Sequence, residues 1–172
     1  MKKRYYILLS AVILCLCIAF AYRTLTPTQE PFEHTITGYL VNQDDAGQPC
    51  EVRISGTRNT YPKFSTNSNS IRFVDCGGVY LDGIPLAIDH FVFTNKEDDF
   101  AIMTISGVGT FLMSREGNCI IGVLKNDLSE TILLAPAASR EDAMILIEQL
   151  ESQLQTESSA RFFEEVRTYL ET

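Results

Sequence analysis

His90, Asp89 and Cys119 are the residues of this chain whose types could carry covalent chemistry. A cysteine attacks a carbonyl carbon when a neighbouring histidine takes its proton, and a carboxylate beside the histidine holds the ring in the working tautomer. The only other histidine, His34, opens the first predicted strand. Strands two apart in a meander can approach, so Cys119, His90 and Asp89 are candidates for a site assembled from distant residues. The competing reading makes His90 a core residue. On that reading Leu86, Ile88, His90 and Val92 share one strand face, and Phe91 and Phe93 take the other.

The context of Cys119 narrows the chemistry. It lies in Gly117-Asn118-Cys119-Ile120-Ile121, with no arginine downstream until Arg140. Sortases place their cysteine at a Thr-x-Thr-Cys-like strand end followed by an arginine, and L,D-transpeptidases use a Ser-His-Gly-Cys-x-Arg-like motif. This segment has neither. A Gly-x-Ser-x-Gly elbow is also absent. Ser106-Gly107-Val108-Gly109 has no following helix or lysine with which to cradle a phosphate. The acidic pairs and runs, Asp44-Asp45 and Glu97-Asp98-Asp99, lack the spacing of a calcium-binding loop and read as solvated turns. No metal or cofactor is expected. Carboxylates for glycoside hydrolysis can come from positions far apart in sequence, and no spacing singles out a pair. Two function classes remain. One is a non-enzymatic binding or structural domain. The other is a cell-envelope enzyme, cysteine- or carboxylate-based.

Which compartment these residues reach is set by the first elements. Tyr5 to Tyr22 carry no charge and follow Lys2-Lys3-Arg4. As an anchor, such a helix spans about 27 Å at 1.5 Å per residue, with tyrosines at both interfaces. As a signal peptide, residues 1–22 would be cut after Ala21, because Ala19-Phe20-Ala21 fits the small-x-small pattern. The basic flank keeps the N-terminus in the cytoplasm and places the rest outside, as a single-pass membrane protein or a secreted one. The expected membrane contact is therefore residues 5–22. Neither Cys15 nor Cys17 follows a small residue, so a lipoprotein is not expected.

Behind Lys2, Lys3 and Arg4, 11 of the 14 basic residues face all 22 acidic ones, a net charge of −11. A domain so acidic is repelled by nucleic acid and by anionic lipid. Export permits a disulfide. Cys50, Cys76 and Cys119 are an odd set, and their spacing does not choose a pair. No Asn-x-Ser/Thr sequon points to a glycosylated ectodomain, and the short Lys-Lys-Arg leader with few cysteines fits a bacterial export product better.

Residues 23–33, polar with two prolines, read as an extended stalk. Residues 34–172 read as one extracytoplasmic domain, β over 34–136 and helical over 139–171. Strands alternate over His34–Val41 and Cys50–Ser55, with a short one over Ile71–Val74. Val79 to Leu86 places Asp82-Gly83 between two apolar runs, the signature of a two-residue type I′ hairpin. Pro85 assigns that hairpin to a sheet edge. Phe100–Ser106, Thr110–Ser114 and Cys119–Lys125 form a meander, and Thr131–Leu134 is a last strand. Many short strands in series suggest an antiparallel sandwich or barrel.

Ile36-Thr37-Gly38-Tyr39-Leu40-Val41, then Gly47-Gln48-Pro49 and Val52 to Thr57, resembles the opening of carboxypeptidase-regulatory-like domains. Those are small non-catalytic β-sandwiches of exported proteins. The resemblance implies an extracytoplasmic β fold and no site residue.

The period then changes. Ser139-Arg140-Glu141-Asp142 is a capping sequence, and Ala143, Leu146, Ile147, Leu150 and Leu154 recur at helical spacing. Phe162, Phe163, Val166, Tyr169 and Leu170 continue the stripe, with Thr156 to Ser159 able to divide it into two helices. The stripe either packs the β unit or offers a face for a protein partner or for self-association.

Overall fold

The computed structural model describes residues 2–42, 47–73, 78–125 and 130–171. Asp44, Asp45 and Cys76 lie outside the described residues. The chain begins with helix α1, Lys2–Leu25. None of its Tyr5–Arg23 segment is buried against the rest of the protein. The Thr26 backbone N–H and hydroxyl both bond to the Tyr22 carbonyl, closing the helix.

Strand β1 runs from Thr28 to Asn42. The expected stalk over 23–33 is therefore divided differently: Arg23 to Leu25 stay helical, two residues link, and Thr28 onward is already paired. Thr28 faces Thr60 and Glu33 faces Ser55 across the hairpin to β2, Gln48–Thr60. Pro31 is tolerated because β1 has this one ladder partner until Tyr39, where pairing to the last strand begins.

The remaining strands are β3 (Asn69–Arg72), β4 (Gly78–Leu81), β5 (Ile84–Leu86), β6 (His90–Phe93), β7 (Phe100–Ile105), β8 (Gly109–Ser114), β9 (Ile120–Lys125) and β10 (Glu130–Ala135). All pair antiparallel in one half-barrel sheet of order β5-β4-β2-β1-β10-β9-β8-β7. The long strand β2 carries two short ones on one edge, β4 on Val52–Ser55 and β3 on Thr57–Asn59. Strand β6 pairs with β3 and runs close beside β7. Asp82 and Gly83 take φ of 48° and 80°, the two positive values a type I′ turn requires. Strand β5, with Pro85, forms the outer edge, as the sequence implies.

Alternation along β8, β9 and β10 buries both sheet faces. Phe111, Met113, Ile120, Leu133 and Ala135 point into the curve of the sheet, meeting Val52, Ile54, Ile71, Phe91 and Phe93. Leu112, Ile121, Val123, Ile132 and Leu134 point the other way. Gly122 stands directly across from Phe111, and a Cβ there would lie 2.7 Å from the Phe111 ring. The missing side chain is the space the ring occupies.

Two helices cover the second face. Helix α2, Arg140–Gln153, starts at Ser139, whose hydroxyl accepts from the Asp142 N–H at 3.2 Å. Helix α3, Glu157–Glu171, begins after a break in which the buried Ser159 hydroxyl donates to the Leu154 carbonyl at 2.6 Å. Ala143, Ile147, Leu150, Phe162, Phe163, Val166 and Leu170 are all buried on this face.

Candidate functional site

The three residues nominated for covalent chemistry are distributed over different parts of the fold. His90 and Asp89 are neighbours, with Nδ1 and Oδ1 2.7 Å apart. Both are exposed, the His90 side chain at 46 %. The expectation that His90 shares the apolar face with Ile88 is corrected: Phe91 and Phe93 take the core and His90 faces solvent. The cause lies at residues 87–89, which leave the ladder between β5 and β6. There the Ile88 N–H bonds to the Leu86 carbonyl at 2.8 Å, and the period of two restarts out of step.

Cys119 lies against the outer core, among Ile121, Leu134 and the helices. Burial pushes its thiol up to about 12, so the protonated, unreactive form dominates at neutral pH. Its backbone N–H is held by the Ser114 hydroxyl at 3.0 Å. Among the described residues no hydrogen bond or ion pair joins Cys119 to His90 or Asp89. Cys50 faces the other core. Desolvation first, then the Asp82 carboxylate, pushes it up to about 11, against a backbone hydrogen bond at Gly38 that lowers it.

The polar organisation of the domain lies elsewhere, at the end nearest α1. Arg115 follows β8 and gathers the turn that separates β6 from β7. Its guanidinium donates to the Lys96 and Asp98 carbonyls and lies 5.3 Å above the Phe93 ring, while its backbone N–H reaches the Asp99 carbonyl at 2.6 Å. Within the same turn the Asp98 carboxylate accepts from the Asn95 N–H at 2.8 Å. The Lys96 ammonium reaches across and donates to the Pro62 and Ser65 carbonyls. Asn69 ties both segments together, accepting from the Tyr61 N–H at 3.0 Å and donating to the Lys96 carbonyl at 3.4 Å.

Beside this clamp, Arg58 bridges Glu116 at 2.5 Å and Glu30 at 3.1 Å. The hydrogen bond that Arg58 donates to Glu116 is the chief cause that lifts the Arg58 pKa above its ordinary value. The His34 ring donates from Nε2 to the Glu116 carbonyl at 3.0 Å. Sequence reasoning missed Arg115, Lys96 and Arg58. Their partners are mostly backbone carbonyls or carboxylates far along the chain, for which no local motif exists.

One groove of about 770 Å³ opens between residues 92–102 and the α2–α3 connection. Glu97, Asp98 and Asp99 line one wall, and Gln155, Thr156 and Ser158 the other. Among the described residues no three His, Cys, Asp or Glu side chains converge as metal ligands. The groove offers polar contacts and negative charge. In comparisons with family models, curated proteins and solved structures, the chain matches none.

Proposed function

We propose that this chain is a membrane-tethered protein of the bacterial cell envelope, whose acidic β domain binds or scaffolds outside the cytoplasm without catalysis of its own. The observation that carries the reading is α1. Its Tyr5–Arg23 segment is apolar on every side, and none of it is buried by the domain. Apolar surface of that extent gains free energy when it leaves water, and lipid is the medium that matches its length. Lys2, Lys3 and Arg4 before it, against Arg23 after it, favour a cytoplasmic N-terminus.

The non-catalytic half of the reading rests on the dispersal of reactive groups. Cys119 is held protonated in the outer core, and His90 and Asp89 face solvent. Three cations of the domain, Arg115 and Lys96 on carbonyls and Arg58 on carboxylates, are engaged within the fold. A barrel suits the sheet better than a sandwich, because one curved sheet supplies the whole inner core and β6 comes alongside β7.

Expression of the full chain followed by fractionation and intact-mass measurement tests the tether. Full-length protein in the membrane fraction is the expected result. A product starting at Tyr22 in the medium would mean secretion. Full-length protein in the soluble cytoplasmic fraction would sink both routes.

A further inference from the structure

We propose that the Pro62–Ser65 turn forms a second contact with the bilayer, dipping into the lipid interface beside α1 with Phe64 as its membrane-facing side chain. The inference rests on the reading of α1 as a retained anchor. Phe64 is 71 % exposed, the one exposed phenylalanine beyond α1 among the described residues. A single exposed aromatic is unremarkable by itself; its position is what matters here. Its ring stacks on Phe20 with centroids 6.3 Å apart and planes within 12°. Phe20 lies inside the apolar Tyr5–Arg23 segment, three residues before its end. At 1.5 Å per residue that is about 4–5 Å of depth, so Phe64 returns to a level the helix has already passed. Both rings keep most of their surface open, at 68 % and 71 %.

The base of the turn is also paired within the protein. A backbone carbonyl that enters a low-dielectric layer unpaired is strongly disfavoured. Here the Pro62 carbonyl accepts from the Ser65 N–H at 2.9 Å and from the Lys96 ammonium, which also holds the Ser65 carbonyl. Pro62 has no N–H to satisfy. The Tyr61 and Asn67 N–H groups are taken by Asn69 Oδ1 and Ser65 Oγ, at 3.0 and 3.1 Å. Lys96 is in turn fixed by the Arg115 clamp on its own carbonyl. A turn held at Pro62 and Ser65 and tipped by an aromatic ring suits the headgroup boundary, where such rings are enriched.

The chain contains no tryptophan, so F64W and F20W each introduce a sole reporter at a surface position. Each full-length variant is reconstituted into phosphatidylcholine vesicles, with acyl chains plain or brominated close to the headgroup. The expected result is a blue-shifted emission and loss of intensity on bromination for both variants. Quenching of F20W with F64W unquenched and red-shifted overturns the turn contact and leaves the anchor standing. No quenching of F20W overturns the anchor reading, and the turn contact with it.

Discussion

The two faces of the sheet are filled by different means. The inner core is enclosed by the sheet's own curvature, and its aromatic residues come from three separate segments: Phe73 just past β3, Phe91 and Phe93 in β6, and Phe111 in β8. The outer core is closed by a lid added last, α2 and α3, whose Phe162 and Phe163 sit next to each other in the chain. Strands β8 to β10 belong to both. The inner face therefore depends on register, and the outer face on whether two amphipathic helices dock. Because the shared strands alternate between them, neither face can slip without turning the other inside out.

The strongest way to break this comparison is Gly122→Val. The new Cβ meets the Phe111 ring at 2.7 Å, in a core where Phe111 is wholly buried. The expected loss exceeds the ~1–3 kcal/mol of ordinary overpacking, and guanidinium titration should find no cooperative transition. Phe163→Ala attacks the lid instead. It should cost about 3–5 kcal/mol in urea unfolding. Hydrogen exchange would then show whether the faces form one cooperative unit. Equal loss of protection in β3, β6 and α3 is expected, and loss confined to the helices would split them.

Each face also holds one buried thiol, so alkaline pH compares them chemically. Folding raises Cys119 from 9.0 to about 12 and Cys50 to about 11. Below pH 9 both states carry the thiol. Above it the unfolded chain ionises first, so stability falls as pH rises from 9 through 11–12. The outer thiol should account for the larger share, on the order of 4 kcal/mol, and Cys119→Ala should flatten the alkaline limb more than Cys50→Ala. The smallest effect is the lid's cap: Ser139→Ala should lower stability by about 1 kcal/mol, measured as a shift in urea midpoint without a change in slope.

Local chemistry made much of the fold legible in the sequence. Asp82-Gly83 determined a turn because few residues accept two positive φ values, and Ser139 determined a helix start because its hydroxyl serves an orphan N–H. The period of Ile147, Leu150, Val166 and Leu170 marked the lid. The strand from Thr28 was not legible, because Pro31 and its polar neighbours resemble a linker until Ser55–Thr60 are placed beside them. The side on which His90 lies was lost for a related reason: alternation carries no memory across a bend such as residues 87–89. Arg115 and Lys96 were invisible because a backbone carbonyl looks the same in every residue.

The joint at Thr26-Pro27 has a consequence for what this domain can meet. An eleven-residue extended stalk would have allowed it to roam about 35 Å above its point of attachment. Two residues allow about 7 Å, and they enter a strand paired from its first residue. With α1 held in a bilayer, the domain would behave as a bracket and not as a tethered float. Anything it engages would have to come down to the membrane surface, or already stand within one domain height of it.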